Sequence, residues 1–300
     1  MLFDQGSCDA DLSEFFQKEF SELAKAPEIP DLDLGQYFQW SDDGSRVIVS
    51  FALSCKMPCA FCYVDSVREN GGAELTDRAL FGGILAASLA FDERFHRENT
   101  VVFLGGMSDP LLEPNIEATL SFLHAFRARG RTNRIHIATK AKVEREDLIA
   151  LLSDDKRIVL GISVPVLSGG IEASEAEILK RIMLAGELRR RGANVTGYIR
   201  PVIPGRTIAD ADSIAEQMRL AGIEAVAVGG LYTDAAISKK LEDKGVVLPA
   251  DSIPSHLIMD RRSRLKKIAG TEVDQVQQKF RNRGFVVYDS ALEVAHAETG

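Results

Sequence analysis

RVIVSFALSCKMPCAFCYV, residues 46–64, reads as two features in succession. Arg46 to Leu53 is a β-branched and apolar run of strand length. It leads directly into Cys55, Cys59 and Cys62, spaced C-x3-C-x2-C. Three thiolates on one loop can take three corners of an iron–sulfur cube and leave the fourth iron without a protein ligand. An iron left open can chelate a small molecule, and an electron passed through it can break a bond in that molecule. Zinc fits the loop less well: a structural zinc wants four ligands, in two Cys pairs or a Cys pair with a His pair, and the nearest downstream histidine is His96. A redox C-x2-C engages Cys59 and Cys62 and leaves Cys55 idle. Cys8, the remaining cysteine, would close the cluster as a fourth ligand or stand as a lone thiol; it is taken as a lone thiol.

Outward from this loop the chain keeps one rhythm. Apolar strands are predicted at 100–106, 134–140, 157–164, 193–200 and 224–230, with amphipathic stretches such as NIEATLSFLHAFRARG between them. Strands separated by helices of ten or more residues indicate βα units and a parallel sheet. Six units are fewer than the eight of a closed barrel. The expected fold is therefore α/β, a partial (β/α)6 barrel with parallel strands over residues 46–234. Residues 1–45 are read as an N-terminal cap carrying an acidic helix, and residues 235–300 as a C-terminal helical extension ending in an apolar run, GFVVYDS, able to add an edge strand. In such folds the carboxyl ends of the strands carry the chemistry. That rule gathers the three cysteines, Gly105 to Asp109, Lys140, Ser163, Arg200 and Tyr232 on one rim.

Bulk properties narrow the class. Apolar residues at 45% and charged residues at 27% suit a globular chain with a buried core. A formal charge of −8 argues against a surface built to grip nucleic-acid phosphates. Three cysteines crowded into one loop do not resemble a secreted disulfide framework. The first residues lack the cationic flank of a signal peptide, and no apolar stretch approaches the roughly 18 to 20 residues of a membrane span. The expected location is a reducing cytoplasm, with no membrane partner.

With these residues in place, the chain resembles the radical S-adenosylmethionine superfamily, and from about Ser50 to Arg206 it is most similar to the spore photoproduct lyase branch. The similarity is carried by CAFCYV (59–64), GGMSDPLLEP (105–114), ATK (138–140), GISVP (161–165) and RPVIPG (200–205). The resemblance implies a [4Fe–4S] cluster on Cys55, Cys59 and Cys62, with S-adenosylmethionine on the fourth iron. It implies that Gly105, Gly106 and Ser108 receive the cofactor's amino group. Lys140 would pair with its carboxylate, Ser163 with its ribose, and Phe61, Val202 and Ile203 would flank adenine. Arg181 falls where relatives carry a cofactor-binding arginine, and equally fits a solvated helix charge.

The departures bear on the substrate. Spore photoproduct lyase uses a further cysteine as hydrogen donor, and here none follows Cys62. The clusters Arg189–Arg191 and Arg261–Lys267 could touch phosphates, but cations in a last helical turn commonly complement the helix dipole. The expected activity is thus reductive cleavage of S-adenosylmethionine to a 5′-deoxyadenosyl radical that abstracts hydrogen from a small polar biosynthetic substrate. Asp109, Tyr198, Arg200, Tyr232 and Asp234 are the candidates to line the substrate side. A flavodoxin or ferredoxin-type reductant is the implied partner. Lyase, isomerase, dehydrogenase and C–C bond-forming outcomes stay open. So do two other classes: a nucleic-acid-directed enzyme of the same chemistry, and a non-catalytic iron–sulfur or zinc protein.

Overall fold

The computed structural model describes residues 34–64, 78–96, 98–249, 252–254, 265–268 and 271–297. Cys8, the predicted N-terminal helix and Arg261 to Arg264 lie outside them.

The six predicted strands are present, five of them shorter than predicted and one, β6, running two residues past its predicted end. They are β2 (Arg46–Val49), β3 (Val101–Leu104), β4 (Ile135–Thr139), β5 (Ile158–Ser163), β6 (Asn194–Val202) and β7 (Ala225–Gly230). They pair in parallel and in sequential order, so every crossover steps the same way and the sheet coils into an open barrel. Two further strands flank the six. β1 (Phe38–Trp40), inside the region read as a cap, pairs antiparallel with β2. β11 (Val286–Tyr288), from the GFVVYDS run, pairs in parallel with β7. The eight-stranded sheet does not close. A small antiparallel sheet of β8 (Tyr232–Thr233), β10 (Lys266–Ile268) and β9 (Ser252–Pro254) follows β7 in the chain.

Helices α1 (Arg78–Phe91), α2 (Asn115–Ala128), α3 (Glu146–Asp154), α4 (Glu175–Arg190) and α5 (Arg206–Leu220) connect the strands. On β2 the alternation buries Val47 and Val49 completely in the main core, with Phe81 and Leu85 of α1 and Phe122 and Phe126 of α2. Gly82 lets α1 and α2 touch backbone to backbone, since a Cβ there would overlap the Ala118 carbonyl. Helix α4 begins at Ser174, whose Oγ accepts from Glu177 N at 3.3 Å, and ends on Arg189 and Arg190. These are a cap and a charge order that suit the helix dipole. Arg189, Arg190 and Arg191 pair with Glu224, Glu187 and Glu146 at the surface. That cluster is already neutralised by carboxylates.

The opposite strand faces fill the barrel. Val159, Ala227 and Tyr198 pack there against Tyr288 and against Val294 of α7 (Ala291–His296), and Arg134 Nη1 donates to the Ala297 carbonyl at 3.0 Å. The C-terminal segment thereby stoppers one end. His136 of β4 is 1% exposed, with ring centroids of Phe103 at 5.1 Å and Tyr198 at 5.6 Å. Gly161 makes room for it; a Cβ would stand 3.0 Å from His136 Cε1. Neither ring nitrogen finds a hydrogen bond among the described residues.

Burial first, and then the Arg200 cation, pull the His136 pKa down from 6.5 to about 3. Between those values the unfolded chain binds a proton that the folded chain refuses, so this group's contribution is whole above pH 6.5 and drains away as pH falls. A His136→Leu variant is expected to lose less stability than wild type between pH 7 and pH 4, by on the order of 3 kcal/mol. Urea unfolding at the two pH values checks this; parallel losses in the two proteins would refute it.

Candidate active site

A cavity of about 240 Å³ opens at the carboxyl ends of the strands, lined by all three loop cysteines. The loop that carries them is fixed at two points. Ala60 N donates to the Ile171 carbonyl at 2.9 Å, and the Tyr63 hydroxyl donates to the Gly106 carbonyl at 3.2 Å. Cys59, Ala60 and Phe61 belong to a satellite core with Val166, Ile171, Ile203 and Leu231. Cys59 is buried while Cys55 and Cys62 are partly exposed, and no disulfide joins them. Burial, against some relief from Lys140, pushes the Cys59 thiol up to about 12. Among the described residues no three His, Cys, Asp or Glu side chains converge tightly enough for one metal ion. Three thiols on one cavity wall are a donor set that fits three corners of an iron–sulfur cube.

Beside the thiols stand Phe61, Gly105, Gly106, Ser108, Lys140 and Ser163, all lining the same cavity. The Ser108 hydroxyl is buried and has no hydrogen-bond partner among the described residues, the mark of a group awaiting a ligand. Gly105 has φ +100°, a conformation open to glycine, and a Cβ there would lie 2.5 Å from Pro110 Cδ. A Cβ on Gly106 would lie 2.5 Å from Ile48 Cγ2. Packing within the chain therefore already requires glycine at both positions.

Lys140 Nζ donates to Ser163 Oγ at 2.7 Å, lies 5.2 Å from the Phe61 ring centroid and faces Glu172 Oε2 at 3.7 Å. Arg181 does not line the cavity. Its Nη1 donates to the Ser163 carbonyl at 2.6 Å and to Glu172 Oε1 at 2.7 Å, with Glu172 and Arg181 side chains 0% and 3% exposed. Glu172 was not foreseen. It lies in a loop with no motif around it, and only the fold brings it to two cations distant in sequence. Tyr63 and Met57 are also lining residues that the sequence reading passed over, although Tyr63 directly follows Cys62. Burial raises the Tyr63 phenol above its ordinary range.

On the far side, Asp109, Tyr198, Arg200 and Tyr232 line the cavity as expected. Asp109 is already engaged by the chain: Oδ1 accepts from Leu111 N and Thr139 Oγ1, and Oδ2 from Lys140 N at 2.6 Å. Burial pushes its carboxyl up against the pull of those bonds. Asp234 stands apart as the cap of α6 (Ala235–Glu242), accepting from Ile237 N at 2.8 Å. Val202 and Ile203 are buried in the main and satellite cores and are not lining residues.

No family model and no curated protein sequence matches the chain. Solved structures do match. A variant of spore photoproduct lyase with bound AdoMet and dinucleoside spore photoproduct is similar at TM-score 0.60 and 13% identity, over 92% of this chain and 94% of that one. Streptococcus suis SuiB bound to S-adenosylmethionine is similar at TM-score 0.53 and 11% identity, over 96% of this chain and 57% of that one. The same protein bound to its precursor peptide SuiA gives 0.52 and 12%, over 98% and 57%. The resemblance read from the sequence, to the radical S-adenosylmethionine superfamily and the spore photoproduct lyase branch, is met at the level of fold. Among the described residues no helix is long and apolar enough to cross a membrane.

Proposed function

We propose that this chain is a radical S-adenosylmethionine enzyme, holding a [4Fe–4S] cluster on Cys55, Cys59 and Cys62 and acting on a small polar substrate. The observation that carries the reading is the meeting of three thiols, an orphaned Ser108 hydroxyl, and the Lys140–Ser163 pair in one cavity at the carboxyl ends of a parallel sheet. When bound, the cluster supplies the electron, received from a flavodoxin or ferredoxin-type reductant, that splits the sulfonium of S-adenosylmethionine into methionine and a 5′-deoxyadenosyl radical able to abstract hydrogen.

The chain's own residues do the rest. Lys140 offers its ammonium to the cofactor carboxylate, pre-aimed by Ser163 and Glu172. Ser108 and the Gly105–Gly106 backbone receive the amino group, and Ser163 meets the ribose. Phe61 covers adenine, with Ile203 packed in the same satellite core and Val202 behind in the main one. Arg181 is a positioning residue, because its guanidinium is spent on the Ser163 carbonyl and on Glu172. Met57, Phe61 and Leu231 wall the cavity against water. The paired state of Arg189, Arg190 and Arg191 supports a small substrate over a nucleic-acid backbone.

Anaerobic reconstitution with iron and sulfide, then reduction by dithionite in the presence of S-adenosylmethionine, tests the reading. Release of 5′-deoxyadenosine and methionine is expected; a colourless protein holding one zinc, or a brown one that releases neither product, would sink it. Lys140→Met is expected to weaken S-adenosylmethionine binding to the cluster-loaded chain by about 10- to 100-fold, the value of one charge-assisted contact. Calorimetric titration reads this, and an unchanged Kd would remove Lys140 from the role.

A further inference from the structure

Two arginines of the barrel interior have no counterion among the described residues. Arg200 lines the cavity, and Arg46 projects from the first parallel strand toward the same interior. Among the described residues neither makes an ion pair, whereas surface arginines such as Arg145, Arg157, Arg191 and Arg219 each hold a carboxylate. Asp43, the carboxylate that acts on Arg46, stays beyond ion-pair reach and accepts instead from Ser45 N at 3.0 Å and Ser45 Oγ at 2.7 Å. Arg46 Nε is buried without a hydrogen bond, and its guanidinium rests 5.9 Å from the Phe103 ring centroid. Arg200 lies 5.4 Å from the Tyr198 centroid and presses on bare backbone at Gly229, where a Cβ would stand 2.5 Å from Arg200 Nε. Burial and repulsion from Arg200 both lower the Arg46 pKa. Two like charges brought near one another in a half-buried interior repel, and an anion between them relieves that repulsion.

We propose that the cavity takes its substrate by an anionic group, a carboxylate or a phosphate ester, held on the Arg200 guanidinium with Arg46 behind it and Tyr198 and Tyr232 at its flanks. Guanidinium is the side chain whose fork matches both oxyanions. In a chain of net charge −8, a local pair of cations within low-dielectric walls also draws an anion inward past the acidic surface. The proposal deepens the reading of the cavity as a radical active site and rests on it for the word substrate; the anion site itself stands on the arginines.

The test is thermal unfolding of the full chain in inorganic phosphate, in malonate and in chloride at equal ionic strength, with S-adenosylmethionine cleavage assayed on the same preparation. At about tenfold over Kd, phosphate or malonate is expected to raise Tm by about 2 °C above chloride. The stronger of the two identifies the oxyanion. The rise should vanish in Arg200→Met and shrink in Gly229→Ala, which displaces the guanidinium while keeping its charge. The chloride Tm of each variant reports whether it folds, and Arg46→Met serves if Arg200→Met does not. No rise with either anion, or a rise that survives Arg200→Met, overturns the proposal even if S-adenosylmethionine is cleaved. An Arg200-dependent rise in a chain that cleaves nothing keeps the anion site and overturns the radical reading.

Discussion

Cys59→Ala is expected to bring 5′-deoxyadenosine formation down to the level of a protein-free control while the chain still folds. The two halves of that expectation have separate causes. The loop does not need metal to hold its course: Ala60 N is bonded to Ile171, Tyr63 to Gly106, and Phe61 is 7% exposed in the satellite core. Removing one sulfur from a buried site costs about 1 kcal/mol, well within the reserve of a large domain. The chemistry has no such reserve, because a three-thiolate cluster that loses a ligand loses an iron corner. Iron content after anaerobic reconstitution and chromatographic assay of 5′-deoxyadenosine measure the two consequences. Cys8→Ala is the matched control, expected to load iron and turn over as wild type does. Wild-type iron and product from Cys59→Ala, or loss of both from Cys8→Ala, would place the ligand set elsewhere.

The Glu172→Gln chain is expected to be less stable than wild type by about 3 to 5 kcal/mol, the usual result of deleting one partner of a buried ion pair. Glu172 is the single carboxylate shared by Arg181, at 2.7 Å, and Lys140, at 3.7 Å, and its side chain is fully buried. The amide keeps the shape and one hydrogen bond but leaves the Arg181 guanidinium, 3% exposed, without a counterion. Restoring neutrality should restore stability: Glu172→Gln with Arg181→Met is expected to recover most of the loss, a coupling that a double-mutant cycle reads directly. Chemical denaturation midpoints supply all four corners. Additive losses would mean that the two side chains do not act as a pair. Cofactor binding is expected to be weaker in the double variant than in Glu172→Gln alone, because Arg181→Met also removes the bond that steadies the Ser163 carbonyl at the end of β5.

Most of the fold was legible because burial on both faces writes parallel strands as apolar runs. RIHIATK and RIVLGISV needed no partner information to be placed. β1 was hidden: Phe38–Trp40 is three residues long and its pairing is set by β2 across a turn, not by its own pattern. Within the site, residues that follow a strand end were found, since the rule for parallel sheets points to them. Glu172 was missed because its partners lie 9 residues and 32 residues away in sequence and meet only through the packing of α4 against the sheet. Gly106 lines the cavity, and packing adds a second demand on it. Its missing Cβ points at Ile48, a contact no local reading of GGMS reveals.

The order in which the cavity walls leave the ribosome has its own consequence. The thiol loop is complete at residue 62, but Arg200, Leu231 and Tyr232, which close the far wall, come roughly 140 to 170 residues later. At ordinary translation rates the nascent cysteines therefore wait roughly 10 to 30 s without a chamber around them. The stopper at Val294 arrives later still. A cluster that needed the whole chamber around it would therefore be assembled only after Tyr232 is made, and until then the thiols have no shelter from their own protein.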